Sequence, residues 1–412
     1  MLSRNLLSLW FVVGLAFLAS APISVAAQDA TPTAAMASND LPVVATGLTN
    51  PRGMTWGADG TLFVALAGSG GDTPGVPEFP PPLGPFMGGP TASVVRIEAS
   101  CPVAVADGLP SVVDATGGVT GVADVAILGD QLYALIAAAG EVNGNPGSVN
   151  GVYQVSADGT TTLIADTEGW LAANPPDTAG WMAPPEGYPN TGNPFAMIAD
   201  ETSGLLWVVD SVNGLVFTVQ LDGTVTLAAD LSEGHLVPTG IAVDPAGGIY
   251  VGTLTSVPFP DGAAKVVHVA ADGTVTDAWT GLTTVTGVTI GDDGTLYAIE
   301  MSTGNIEEEP FLTPGSGRLV RQTGPDSLDV VVSGLMFPIA LRAAPDGTLY
   351  VALPALGADD GSGQIVQVDT AGGEASPVAG AMEDAPQCGP AVEGTPAEAP
   401  RAPDAEMATP EA

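Results

Sequence analysis

The stretch "APDGTLYVALPALGADDGSGQIVQV" (344–368) sets an Asp-Gly turn before a short apolar run, then a Gly-rich loop, then a second apolar run. Its opening recurs as "GADGTLFVAL" (57–66), "DPAGGIYVGT" (244–253) and "GDDGTLYAIE" (291–300). Asp-Gly between alternating runs is a strong hairpin signal, because two-residue hairpin loops need positive φ. Working outward, six copies of one unit can be read. Their first turns fall at Asp59-Gly60, Gly129-Asp130, Ser203-Gly204, Gly247-Gly248, Asp293-Gly294 and Asp346-Gly347. Second turns fall near Ala99-Ser100, Asp158-Gly159, Asp222-Gly223, Asp272-Gly273, Pro325-Asp326 and Gly372-Gly373. Each unit reads as a four-stranded antiparallel meander whose second strand is apolar on both sides. Such a sheet cannot bury both faces alone. Six set radially seal one another, which predicts an all-β, six-bladed β-propeller.

Composition agrees. Hydrophobic residues make up 45% of the 412-residue chain, but 54 Gly and 37 Pro cut them into short runs. That pattern favours many short strands and turns over long helices. "LPVVATGL" (41–48) reads as a fourth strand with no blade before it, so it is expected to complete the last blade and close the ring. The domain is therefore drawn at 41–382. Residues 28–40 read as a flexible lead, and 383–412, rich in Pro, Ala and Glu, as a disordered tail.

The first 27 residues have a different character. Arg4 opens a positive region, Leu6 to Ala19 is apolar, and Val25-Ala26-Ala27 supplies small residues for cleavage before Gln28. This is the layout of a secretory signal peptide, so a secreted, extracytoplasmic protein is expected, with no membrane insertion after cleavage. The uncleaved-anchor alternative needs an apolar run of about 20 residues, longer than this one. The formal charge is −38, and Lys265 is the only lysine. Such a surface repels phosphate backbones and anionic lipid heads, which excludes nucleic acid as an expected partner. The expected partners are instead a small molecule, a glycan or another protein.

Strand parity locates the functional face. In a four-stranded meander the a–b and c–d turns share one end, and the b–c and d–a loops share the other. The tight Gly turns take the first set of places. The long insertions 67–92, 137–150, 167–193, 254–264, 301–317 and 353–363 take the second. Long loops on a rigid scaffold commonly hold function. Polar residues at starts of strand a, ends of strand b or in these loops are the candidate ligand contacts around the channel mouth: Asn50, Arg52, Asp124, Trp181, Asn193, Asp210, Asn213, Thr239 and Glu300. Arg52 either meets an anionic ligand or salt-bridges to a neighbouring blade. Trp170, Trp181 and Tyr188 either glue the loop 167–194 down or form a lip that stacks on a ligand.

No catalytic constellation can be assembled. His235 and His268 are the only histidines and begin no metal-ligand spacing. "EMSTGNIEEEP" (300–310) and "GADDGSG" (357–363) cluster carboxylates and could hold Ca²⁺, or be solvated acidic loops. No other cofactor is expected. Two cysteines, Cys101 and Cys388, suit one disulfide in an oxidising compartment. Propeller geometry puts Cys101 at the start of the fourth strand of blade 1 and Cys388 after blade 6, so the bridge would tie the tail across the closure seam.

"VVATGLTNPRGMTWGADGTLFVALAGSGG" (43–71), "TGVADVAILGDQLYALI" (120–136), and "LAANPPD" (171–177) ahead of "NPFAMIADETSGLLWVVDSVNGLVFTV" (193–219) resemble the ScyD/ScyE family of exported propeller proteins. The resemblance spans roughly 41–380 and implies no defined reaction. The chain departs from the family's usual Asp-Gly turn at Ser203-Gly204. More distantly it resembles NHL-repeat and gluconolactonase-type propellers. The latter bind a metal through an axial Glu, Asn and Asp set. "NPRGM" (50–54) offers no matching Glu, so that set does not map residue by residue. Two function classes follow. The first is non-catalytic binding on the elaborated face. The second is a metal-dependent hydrolase or lyase with its ion in the channel, using Asp210, Asp124 or Glu300. A purely structural envelope protein held by its tail is a third.

Overall fold

The computed structural model describes residues 35–176, 187–234, 236–359, 361–368 and 388. The strands form six sheets, each built on a four-stranded antiparallel meander. Blade 3 shows the plan: Pro194–Asp200, Leu205–Asp210, Leu215–Val219 and Val225–Asp230 pair in chain order. Burial is deepest in the two middle strands. Leu205–Asp210 is buried along nearly its whole length, while Val225–Asp230 is mostly exposed or half-buried, as an outer edge strand should be.

Ring closure is visible in the core. There are six apolar clusters, and each lies between two neighbouring blades. Ala65, Val94 and Leu109 of blade 1 meet Val122, Leu132 and Val155 of blade 2. At the seam Met54, Val64 and Leu66 of blade 1 meet Ile339, Ala352 and Ile365 of blade 6. No blade faces solvent on a broad side, so the architecture is the six-bladed β-propeller that the repeat predicts.

The closing strand is Val43–Leu48, which pairs antiparallel with Gly363–Val368 and completes blade 6 from the N-terminal side. The described structure starts ahead of the boundary at 41. Met36–Ala37 adds a parallel edge strand beside Ser327–Leu335, and Ser38 Oγ donates to the Gly334 carbonyl at 2.7 Å. So the C-terminal part of the expected flexible lead is bound to blade 5. Cys101 and Cys388 form a disulfide with Cα atoms 5.5 Å apart, beside the Thr46–Gly47 segment of the closing strand. The expected tail and the second turn of blade 6 at Gly372-Gly373 otherwise lie outside the described residues.

The turns differ from the two-residue loops expected at most Asp-Gly sites. Gly60 N–H donates to Gly57 O at 2.9 Å and Gly57 N–H to Thr61 O at 2.8 Å, which leaves a three-residue loop with Gly60 at φ 81°. This is a type I turn followed by a left-handed residue, and it recurs at 156–160, 220–224, 270–274, 291–295 and 344–348. The aspartate has its own task here. Asp59 Oδ1 accepts from Thr61 N–H at 3.0 Å, and Asp158, Asp222, Asp272, Asp293 and Asp346 repeat the contact. Asp-Gly-Thr is thus one device: a side chain that closes the turn, a left-handed glycine, and a strand start.

The insertion at 67–92 contains regular strand. Met87–Glu98 and Cys101–Val113 are long enough to run past the blade as a projecting hairpin on the elaborated face. Thr73–Pro74 and Val119–Thr120 extend its two edges.

Candidate functional site

Strand a of every blade lines the axis, and at the elaborated end these strands enclose a cavity of about 210 Å³. The walls come from strand starts near Arg52, Gly121, Phe195, Gly240, Gly287 and Leu341. Met301, Ala355 and Leu356, which follow strand b of blades 5 and 6, form part of the mouth. The cavity therefore opens on the face with the b–c and d–a loops, where parity put the functional side.

Glycine governs the width of the channel. A Cβ on Gly53 would lie 1.6 Å from Asp124 Oδ1, and one on Gly240 would lie 2.6 Å from Val288 N. Neighbouring strands approach so closely that these positions accept no side chain.

A buried ion pair crosses the channel. Arg342 Nη2 donates to Asp124 Oδ2 at 2.6 Å and to the Met197 carbonyl at 3.0 Å. Its Nη1 reaches the Ile241 carbonyl at 3.3 Å. Asp124 also accepts from Met197 N–H at 2.9 Å and Val125 N–H at 2.8 Å. Blades 2, 3, 4 and 6 are thereby joined at one point. Burial pushes the Asp124 carboxyl above its ordinary value, against the pull of Arg342 and the two amides. Sequence reading named Asp124 but not its partner. The available signal was an arginine inside the apolar word "PIALRAA" (338–344) of a chain with eight basic residues.

Arg52 sits at the mouth, half-buried. Its Nη1 donates to the Pro51 carbonyl at 3.0 Å and its Nη2 to the Val119 carbonyl at 2.7 Å. It makes no salt bridge, so the interblade ion pair weighed for it does not form among the described residues. Burial lowers its pKa to about 10, with Asp359 acting in the opposite sense. It stays cationic at neutral pH.

The remaining candidates divide. Asn193 and Thr239 line the cavity. Asn193 Nδ2 donates to Ser211 Oγ at 3.1 Å, and Thr239 Oγ1 to the Val285 carbonyl at 2.6 Å. The structure does not bring Asn50, Asp210, Asn213 or Glu300 to the lining; loop anchoring uses them instead. Asp210 accepts from Asn193 N–H at 2.7 Å and, through its other oxygen, from Asn213 N–H at 2.8 Å and Nδ2 at 2.9 Å. It closes the turn "DSVNG" (210–214), and burial raises its pKa. Asn50, at φ 49°, donates to Gly68 O at 2.9 Å and to Asp359 Oδ1 at 2.5 Å. Glu300 is fully buried, accepts from Thr283 N–H at 2.6 Å and pairs with Arg318. Its pKa is raised by burial, with Arg318 opposing.

Two of the three loop aromatics serve as internal glue. Trp170 packs edge-on against Phe217 at 4.9 Å, and Tyr188 against Phe79 at 4.7 Å. Trp181 and His235 lie outside the described residues. His268 is in strand c of blade 4, with Nε2 2.9 Å from Asp244 Oδ2 and away from the axis. Among the described residues no group of three or more His, Cys, Asp or Glu is arranged to hold a metal ion.

Solved structures with a similar fold include a glucose dehydrogenase (15% identity, 80% of this chain and 98% of that one, TM-score 0.49). Another is the PQQ-bound aldose sugar dehydrogenase of Streptomyces coelicolor (12% identity, 79% and 96%, TM-score 0.49). A third is virginiamycin B lyase from Staphylococcus aureus (12% identity, 76% and 80%, TM-score 0.40). No protein-family model and no curated protein matches the sequence.

Proposed function

We propose that the protein is an exported, non-catalytic propeller that binds a small molecule in the axial well on its elaborated face. The observation that carries this reading is the well itself: a cavity of about 210 Å³ at the rigid hub, whose ionic floor is internally neutralised. Its walls are mostly small or apolar, with few polar groups to fix orientation, as in ligand sites generally. The rim supports it. Val76, Leu83, Val257, Ile306, Met336 and Leu356 are exposed apolar side chains, and all sit in loops of this face. Export is supported by the signal-like N-terminus and by the disulfide, which suits an oxidising compartment. Within this reading the chain is grouped with the ScyD/ScyE-type propellers, on the strength of the sequence words at 43–71, 120–136 and 193–219.

The hydrolase alternative asks Asp210, Asp124 or Glu300 for an axial ion. Each is already engaged, by Asn193 and Asn213, by Arg342, and by Arg318 respectively. These carboxylates do not share a site. The test is to isolate the protein from its own host, denature it, and identify released small molecules by mass spectrometry. A plugged variant, Leu356→Trp, is run alongside. A stoichiometric compound that the variant lacks is expected. Identical release profiles would overturn the reading.

A further inference from the structure

Cations are scarce in this chain, and carboxylates are abundant: eight Lys and Arg against 46 Asp and Glu. The described residues include six of those cations. Five have a carboxylate within salt-bridge distance: Arg96 with Glu98, Lys265 with Asp277, Arg318 with Glu300, Arg321 with Asp329 and Arg342 with Asp124. Arg52 is the exception, and Arg52 lines the axial well. In so acidic a molecule, a half-buried guanidinium with no carboxylate of the described residues within salt-bridge distance stands out from the common pattern.

We infer that the ligand of the axial well is a monocarboxylate with a compact apolar body, its carboxylate held by Arg52; this rests on the reading of the well as the binding site. A guanidinium offers five N–H donors in a planar fork. One each from Nη1 and Nη2 goes to the Pro51 and Val119 carbonyls, which fixes the fork's orientation. The other three have no protein acceptor among the described residues. A carboxylate matches that geometry and gives charge-assisted bonds in a partly desolvated place. Phe195, Met301, Ile339, Leu341 and Leu356 supply apolar wall for the remainder of the ligand. The volume, about 210 Å³, is below the range of roughly 300–1,000 Å³ typical of drug-sized ligand pockets, so the body is small.

The restriction to one negative charge comes from the same surroundings. Asp114 also lines the well, holding Thr116 and Gly118 N–H through Oδ1. Asp359 acts on Arg52 electrostatically. A second negative charge on the ligand would meet these two carboxylates and, among the described residues, no further unpaired cation.

The experiment is titration calorimetry with benzoate, its neutral isostere benzamide, and inorganic phosphate. The proteins are wild type, Arg52→Met and Arg52→Lys, with melting curves to check folding. Saturable benzoate binding to wild type is expected, weakened roughly 10- to 100-fold in Arg52→Met and less in Arg52→Lys. Arg52→Lys keeps the charge without the fork, so it carries the comparison if Arg52→Met folds poorly. Benzamide binding as tightly as benzoate, with Arg52→Met indifferent, overturns the carboxylate and leaves the well as a site. Phosphate binding tighter than benzoate overturns the single-charge restriction. No saturable binding of benzoate to wild type up to about 10 mM overturns the inference; the release experiment above then decides separately whether the well holds anything.

Discussion

Removing Arg342 should unfasten the hub. In Arg342→Met the side-chain volume is largely kept, but Asp124 loses its 2.6 Å partner, and the Met197 and Ile241 carbonyls lose their donor. Asp124 keeps only two backbone amides and stays 1% exposed. Breaking one side of a buried pair costs about 3–5 kcal/mol. A folded domain of about 330 residues has an unfolding entropy near 0.7 kcal/mol per kelvin, so 4 kcal/mol lowers Tm by about 6 °C. The pH dependence identifies the cause. Burial already raises the Asp124 pKa with Arg342 present, and removing the cation raises it further. A carboxyl with a raised folded pKa favours the folded state at low pH and loses that contribution as pH rises through the folded value. The penalty of Arg342→Met is therefore expected to be large at pH 7 and to shrink on acidification. Urea unfolding at several pH values, with Asp124→Asn and the double variant completing a cycle, measures the coupling, expected at about 1.5–3 kcal/mol. A penalty below about 1 kcal/mol, independent of pH and additive with Asp124→Asn, would refute a hub built on this pair.

Other outcomes are expected. Gly53→Ala drives a Cβ into Asp124 and should destabilise by about 1–3 kcal/mol, read as a lower urea midpoint; a neutral result would mean that the strands can part at the axis. Replacing Cys101 and Cys388 together by Ala opens a loop of 287 residues and should lower stability by at most about 5 kcal/mol; an unchanged midpoint would remove the bridge from the closure of the ring. The Asp-Gly-Thr carboxylates Asp59, Asp158, Asp222, Asp272, Asp293 and Asp346 are held below their ordinary pKa of 3.8, chiefly by the N–H or hydroxyl of the threonine two residues on. Their contribution is present above that value and lost as pH falls through the lower folded one, so Asp222→Ala with Asp272→Ala should flatten the acid side of the stability curve. Unaltered acid unfolding would assign that slope to other groups.

The blade count and the elaborated face were legible because the same local words recur once in each blade, and the closing strand and the disulfide followed from placing an unmatched strand and two cysteines on that ring. The turn at Asp59-Gly60 was legible as a turn and misread in length, since a two-residue and a three-residue loop share the Asp-Gly signature. The site was legible only in part. Arg52, Asp124, Asn193 and Thr239 do face the axis, because the starts of strand a must. Arg342 escaped attention because it meets Asp124 across 218 residues of sequence, a distance that no local pattern encodes. Asp210, Asn213, Asn50 and Glu300 were drawn toward the mouth by their strand-end positions, but a buried polar group must first satisfy itself, and backbone amides or side chains within a few ångströms took them.

The lock formed by Val43–Leu48 against Gly363–Val368 has a bearing on biogenesis. Among the earliest segments of the domain to leave the ribosome is one whose partner emerges almost last. Until then the first and sixth wedges each present a raw flank, and the toroid stays an open crescent.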